Sequence, residues 1–262
     1  MKNNYVMWIC ESAIMIAAAT VLSFIAIIKM PFGGSVTALS MVPILLVAFR
    51  YGVKKGLVTG LVYGVIQLLL DTGTLSYATS KWAALAIVLL DYIFAFGVLG
   101  LSAMFKGKGK NSVVLGSIVC IVLRFIMHLI SGCTVWAGLS IPTGDALIYS
   151  FGYNAAYMLP ELIVSVAGIY YLNQTLDLTH EKLSRRKVAT SGNMVYSAVG
   201  VLSLLTVAVF DALKLFSIIQ TDEGYSIKNL LSANYLSVII VSVVGCLIAL
   251  VMFILNRSKL NK

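Results

Sequence analysis

The chain has 262 residues, of which 60% are hydrophobic and only 11% are charged, and its formal net charge is +9. Soluble domains carry charge on roughly a quarter of their residues, so this composition excludes an ordinary water-soluble domain and predicts a protein surrounded by lipid. The basic residues lie in short clusters between apolar runs, which is typical of membrane loops and not of a nucleic-acid-binding face.

Eight apolar runs predict eight membrane-spanning helices, because a helix needs about 20 apolar residues to cross the hydrocarbon core. No small-residue cleavage site and polar mature domain follow the first run, so we expect a retained helix and not a signal peptide. The second and third runs are short, and Pro43 predicts that the second helix is tilted, kinked or incomplete, with its missing backbone hydrogen bond replaced by neighbours. The predicted helices are 6–28, 36–49, 56–70, 82–105, 112–135, 146–172, 194–217 and 232–256.

The lysines and arginines indicate how these helices are oriented. With the N-terminus inside, the inner segments hold 14 of the 19 basic residues, so we expect a multi-pass protein of the cell membrane with both termini in the cytoplasm. The longest polar stretch, 173–193, is then a basic cytoplasmic linker. It divides the chain into a six-helix module (1–172) and a two-helix C-terminal extension (194–262).

Sequence signatures of enzymes and of metal sites are absent. The chain has no GxxxxGK[ST] loop, no HExxH and no nucleophile elbow, and its four cysteines have neither CxxC nor Cys/His metal spacing. We therefore expect no catalytic residue, no metal and no cofactor.

Polar groups on three successive helices fall at one depth. Asp91 lies nine residues into the fourth helix, and His128 and Asn154 each lie eight residues from the outer ends of the fifth and sixth. Aromatic residues surround this level in the outer half of the membrane, namely Tyr92, Trp136, Tyr149, Tyr153 and Tyr157. An acid, an imidazole, a carboxamide and several rings suit a flat heterocycle that is cationic or carries an amine.

Structural explanations of the same residues stay open. Ionisable groups at membrane depth are functional candidates by default, but Arg124 could pair with Asp91 or Glu161 as a structural bridge, and Trp136 could be an interfacial anchor. A proton path through Asp91, His128 and Glu161 is a third possibility.

Small residues recur at a four-residue spacing in two helices. Glycines on one face of the third helix let another helix approach closely, which favours packing within the chain. These glycines are Gly52, Gly56, Gly60 and Gly64. Ala13 and Ala17 have the same spacing in the first helix.

Four segments of the first six helices resemble ThiT-like proteins, the thiamine-specific substrate-binding subunits (S components) of energy-coupling factor transporters. The resemblance covers about residues 8–172, and it includes the spacings of eight residues from His128 to Trp136, thirteen to Tyr149 and five to Asn154. The segments are GGSVTALSMVPILL (33–46) with RYG (50–52), LDYIFAF (90–96), HLISG (128–132) and YSFGYNAAYMLPE (149–161).

The resemblance implies a binding site, a function and partners. The site would be formed by Asp91, Tyr92, His128, Trp136, Tyr149 and Asn154, with Tyr153 and Tyr157 beside them and the loop at Gly34 and Ser35 closing its outer end. The chain would capture thiamine at the outer face for uptake that is driven by a transmembrane coupling subunit and two ATPase subunits. Ala13 and Ala17 match the small residues that meet the coupling subunit.

The sequence departs from the family pattern in two places. The family has a tyrosine about ten residues before the acid–Tyr pair, whereas Tyr77 lies fourteen residues before Asp91, so Tyr77 reaches the site only if one turn is inserted. The two C-terminal helices are the second departure. Because of these departures, the ligand could instead be another vitamin or a pyrimidine precursor. An alternative function from a different class of protein is a proton-coupled secondary transporter.

Overall fold

The computed structural model describes residues 2–30, 33–109, 111–139, 146–178, 184–185, 194–221, 224–225, 229 and 232–260. Within them the chain forms a polytopic all-α bundle with seven helices that are long and apolar enough to cross a membrane and one shorter apolar helix. The helices are α1 (Lys2–Phe24), α2 (Val42–Tyr51), α3 (Val53–Leu70), α4 (Lys81–Phe105), α5 (Ser112–Thr134), α6 (Ala146–Thr175), α7 (Met194–Ile219) and α8 (Leu236–Leu260).

The second predicted helix is shorter than the sequence suggested. Residues 36 and 37 were predicted to be helical, but β2 (Ser35–Thr37) pairs with β1 (Ala26–Lys29) in an antiparallel hairpin. Helix α2 keeps ten residues, about 15 Å, which is half of the hydrocarbon thickness. Pro43 lies in its first turn, where helix N–H groups have no intrahelical acceptor, so no lost hydrogen bond has to be replaced.

The hairpin and α2 together run antiparallel to α1. At one end the N–H of Ala38 donates to the carbonyl of Ile25 at 3.0 Å. At the other end Arg50 Nε lies 2.7 Å from Glu11 Oε1, and this buried ion pair ties α2 to α1. The extended residues 35–37 thus lengthen the segment that runs beside α1, because the ten residues of α2 are too few to span that length.

A glycine face joins α3 closely to α4. A Cβ atom built on Gly60 would lie 2.6 Å from the carbonyl oxygen of Phe96, and one on Gly64 would lie 2.7 Å from that of Tyr92. Gly56 meets the Gly100 carbonyl at 2.6 Å in the same way. The predicted packing within the chain is confirmed for these three glycines. Gly52 was wrongly placed on this face, because it forms the turn between α2 and α3.

Helix α4 is irregular where it passes this face. Residues Val88–Phe94 form a π-helical segment and Val98–Phe105 a 3₁₀ segment. A π segment changes the angular spacing of successive side chains, and such segments are frequent at functional sites. This one carries both Asp91 and Tyr92.

The C-terminal helices form an antiparallel pair that packs on the six-helix part through α7 against α6. Ser242 Oγ donates to Asp211 Oδ2 at 2.6 Å, and Ser203 Oγ donates to the Gly245 carbonyl at 2.8 Å. Helix α6 continues to Thr175, three residues beyond its predicted end. Beyond 178, only 184–185 of the predicted linker lie within the described residues.

Candidate functional site

A cavity of about 180 Å³ lies between α3, α4, α5, α6 and the β1–β2 hairpin. It brings together ten of the eleven residues that the sequence assigned to a ligand site, and only Tyr77 is missing from the lining. The ten are Gly34, Ser35, Asp91, Tyr92, His128, Trp136, Tyr149, Tyr153, Asn154 and Tyr157.

Asp91 accepts three hydrogen bonds from one neighbouring segment of the chain. Its Oδ1 lies 3.0 Å from His128 Nδ1, and its Oδ2 accepts from Ser131 Oγ at 2.7 Å and from Trp136 Nε1 at 3.2 Å. Bonds of this kind hold a carboxylate in one orientation. The π segment of α4 is therefore fixed to the C-terminal end of α5 through a single side chain.

The contact with Asp91 decides which atom His128 offers to the cavity. A neutral imidazole that donates its Nδ1–H to Asp91 presents Nε2 as an acceptor. His128 Nε2 is buried and has no hydrogen-bond partner among the described residues. The imidazole also lies edge-on to the Tyr157 ring, with centroids 6.2 Å apart. His128 Nε2 is therefore an acceptor that the described residues leave unused.

Tyr92 connects α4 to the C-terminal end of α3. Its hydroxyl donates to Asp71 Oδ2 at 2.8 Å, and Asp71 also lines the cavity. Asp71 was not among the residues that the sequence assigned to the site. Its carboxylate joins those of Asp91 and Glu161 in the cavity wall.

The polar groups of Asn154 are used within the protein. Its Nδ2 donates to the Ser150 carbonyl at 2.9 Å, and its Oδ1 accepts from the Tyr157 hydroxyl at 2.8 Å. Asn154 thus orients the Tyr157 ring. The rings of Tyr149 and Tyr153 stack at 6.3 Å with an interplanar angle of 17°, so α6 presents an aromatic wall to the cavity.

The hairpin covers one end of the cavity. Tyr153 Oη donates to the Gly33 carbonyl at 2.7 Å. Gly34 has φ +85°, and a Cβ atom built there would lie 2.8 Å from Tyr157 Cε1. Both the left-handed backbone and the close ring require glycine at this position.

Arg124 does not form the bridge that was one structural explanation of the polar residues. Its Nη1 lies 2.9 Å from Met41 Sδ, and its guanidinium carbon lies 4.3 Å from the Phe96 ring centroid. The two ion pairs of the described residues are Arg50–Glu11 and His128–Asp91. Arg124 lines the cavity as one positive charge against three carboxylates, so the site favours a cation.

Several residues that line the cavity or hold a lining residue were missed by the sequence reasoning. Ser131, which holds Asp91, follows Arg124 and His128 at positions i+7 and i+3 on the same face of α5, and that periodicity was a usable signal. Thr37 and Ser40 were assigned to a helix. The remaining missed lining residues are Ser23, Gly33, Tyr63, Gln67, Thr74, Phe96 and Gly132.

Three other predicted residues lie outside the cavity. The ring centroid of Tyr77 is 5.5 Å from that of Trp136, so it contacts the back of a lining residue. Ala13 and Ala17 are exposed on the outer face of α1, where a partner could reach them.

Comparison with known proteins covers the part of the chain that builds this cavity. A family model described as "Thiamine transporter protein (Thia_YuaJ)" matches residues 9–181. The chain is 40% identical to the thiamine transporter ThiT of Bacillus subtilis (strain 168) over 189 residues, which are 66% of this chain and 94% of that protein. A solved structure of ThiT from Listeria monocytogenes has a TM-score of 0.52 and 27% identity, covering 65% of this chain and 95% of that one. Helices α7 and α8 lie beyond the family match.

Proposed function

Because the chain belongs to the thiamine transporter protein (Thia_YuaJ) family, we propose that it is the thiamine-binding S component of an energy-coupling factor importer. The protein captures thiamine at the outer face of the cell membrane. A coupling subunit and two ATPase subunits then drive uptake, and the chain itself performs no chemistry on the substrate. Both termini lie in the cytoplasm, as the distribution of basic residues predicts.

The observation that supports this proposal best is the Asp91–His128 pair inside an aromatic cavity. Thiamine carries a thiazolium cation and an aminopyrimidine ring. The net negative cavity wall suits the cation, and the rings of Trp136 and Tyr149 suit stacking on a flat heterocycle. The free Nε2 of His128 suits the exocyclic amine, which donates hydrogen bonds.

Two observations support separate roles for the six-helix part and the C-terminal helices, and a contact surface for a partner. The residues that line the cavity all lie between Ser23 and Glu161, so we assign residues 1–172 to ligand capture and 194–262 to an accessory pair of helices. Ala13 and Ala17 face outward on α1, and we assign them to contact with the coupling subunit. Residues 173–193 join the two parts.

The direct test is thiamine binding by the purified chain. Thiamine should quench tryptophan fluorescence and raise the melting temperature, because Trp136 lies in the cavity wall. Trp136→Phe should remove most of the quench. Trp82→Phe is the matched control, since the Trp82 side chain is 80% exposed and distant from the lining. A wild-type chain that ignores thiamine but responds to another vitamin or to a pyrimidine precursor would redirect the proposal to that ligand.

A proton-coupled secondary transporter is the second candidate, and the 3.0 Å contact of Asp91 with His128 is the observation in its favour. A proton path through Asp91, His128 and Glu161 is not continuous in the structure, because Glu161 bonds to Thr37 and not to His128. Reconstitution separates the two functions. Accumulation of thiamine by the chain alone under a pH gradient supports the second candidate, and accumulation only with ATP and the partner subunits supports the first.

A further inference from the structure

The carboxylate of Glu161 binds the base of the hairpin that covers the cavity. Glu161 lies on α6 and is only 2% exposed. Its Oε2 accepts the backbone N–H of Thr37 at 2.6 Å, and its Oε1 accepts the Thr37 hydroxyl at 2.7 Å. Both oxygens of a buried carboxylate are therefore used by a single residue of β2.

The residues after Thr37 are fixed at the same place. Ser40 Oγ lies 2.6 Å from Thr37 Oγ1, which extends the hydrogen-bonded group by one hydroxyl. Leu39 has φ +68°, a backbone conformation that is costly for a leucine and persists only where the surroundings hold it. Its side chain occupies the space above Gly168 of α6, where a Cβ atom would lie 2.6 Å from Leu39 Cδ2.

A second contact joins the hairpin to α6. The bond from Tyr153 Oη to the Gly33 carbonyl joins two neutral groups at an exposed position. The bonds to Glu161 are buried, and bonds to a carboxylate are roughly twice as strong as neutral ones. The Glu161 contact is therefore the stronger of these two.

We propose that Glu161 is a positioning residue that keeps the base of the hairpin docked on α6, so that the hairpin holds one position over the ligand. Loss of this anchor would release the ligand faster, because the hairpin would no longer hold that position. The inference rests on the proposed function only in taking thiamine as the ligand whose release is measured. Glu161 also lines the cavity, so the rival role is direct contact with the ligand.

Hydrogen exchange of the ligand-free protein distinguishes these roles. Glu161→Met removes both acceptors, whereas Glu161→Gln keeps one for the Thr37 amide. We expect exchange in residues 33–40 to rise about tenfold in Glu161→Met and much less in Glu161→Gln, with α5 unchanged. A residue that only contacts the ligand would leave this exchange at the wild-type rate, and that result would overturn the proposal. This exchange experiment uses the ligand-free protein, so it tests the role of Glu161 even if the chain proves not to bind thiamine.

Thiamine dissociation gives the second readout. Glu161→Met should raise the dissociation rate about tenfold and change the association rate little. Thr37→Val, which leaves the Glu161 carboxylate in place, should raise the dissociation rate by a smaller factor. The double variant should dissociate no faster than Glu161→Met, because both changes break the same contact. Multiplicative effects of the two changes would assign Glu161 to the ligand instead. If Glu161→Met fails to fold, the hydrogen-exchange rate and the thiamine dissociation rate of Thr37→Val test the proposal. Wild-type values of both rates in Thr37→Val would overturn it.

Discussion

Asp91 Oδ1 and His128 Nδ1 lie 3.0 Å apart and join the π segment of α4 to α5 at the wall of the cavity. The pair has two effects on the site. The carboxylate contributes negative charge to the wall, and its contact with Nδ1 leaves His128 Nε2 without a hydrogen-bond partner among the described residues. Both effects depend on Asp91 being held by Ser131 and Trp136 as well.

Asp91→Asn should weaken thiamine binding by about 10- to 100-fold, which corresponds to about 1–3 kcal/mol. The variant removes one negative charge, and the amide cannot accept all three hydrogen bonds. Titration by fluorescence or calorimetry measures the affinity. Asp211→Asn is the matched control, because this acid lies on α7 and bonds to Ser242 away from the cavity. Equal affinities of the Asp91 variant and the wild type would remove Asp91 from the site.

Ser131→Ala should weaken binding about 3- to 10-fold, because one hydrogen bond to the Asp91 carboxylate is lost while the charge remains. Ser117→Ala is the control. This serine is also buried on α5, but its hydroxyl donates only to the Val113 carbonyl one turn before it. The two variants should therefore have similar thermal stability and different affinities. Similar affinities would mean that Ser131 does not hold Asp91 in its binding position.

Gly34→Ala should weaken binding more than Gly33→Ala does. Both glycines have positive φ, so both variants introduce backbone strain, but only Gly34 places its added methyl group against the Tyr157 ring. The comparison isolates the steric contact from the strain. Affinity and dissociation rate are the measurements, and an equal loss in both variants would show that strain alone acts.

Gly60→Ala should lower the free energy of unfolding by about 1–3 kcal/mol, because the methyl group has no space beside the Phe96 carbonyl. Thermal unfolding in detergent measures the change. Gly152→Ala provides the control on α6, where an added Cβ atom meets nothing within 4 Å. An unchanged melting temperature of the Gly60 variant would contradict the tight α3–α4 contact.

A chain that ends at residue 193 should still bind thiamine with wild-type affinity. All residues that line the cavity precede α7, so the ligand contacts are preserved. Its melting temperature should fall, because α7 packs against α6 and its removal exposes that face. A large loss of affinity, with the six-helix part still folded, would give the C-terminal helices a role in the site.

Hydropathy and periodicity predicted the helices well, because the energetic cost of placing polar backbone and side chains in lipid acts on each segment separately. The depth of Asp91, His128 and Asn154 followed from counting residues along helices of known rise. The family resemblance, now supported by the match over 9–181, added the loop residues Gly34 and Ser35. The orientation of the termini and the roles of individual site residues stay predictions.

The partners of each polar group were decided by the tertiary structure alone. Arg124 and Asp91 are both intramembrane ions, yet Arg124 lies over Phe96 and Asp91 bonds to α5, because packing sets how each helix is rotated about its axis. The π segment of α4 shifts that rotation further at Asp91. Likewise, the strand at Thr37 replaces a predicted helix because the hairpin and the Glu161 carboxylate satisfy its backbone. The sequence by itself determined which segments are apolar enough to cross the membrane, and it predicts the depth of the polar groups on them. Their contacts depend on side-chain directions that only the packed helices define.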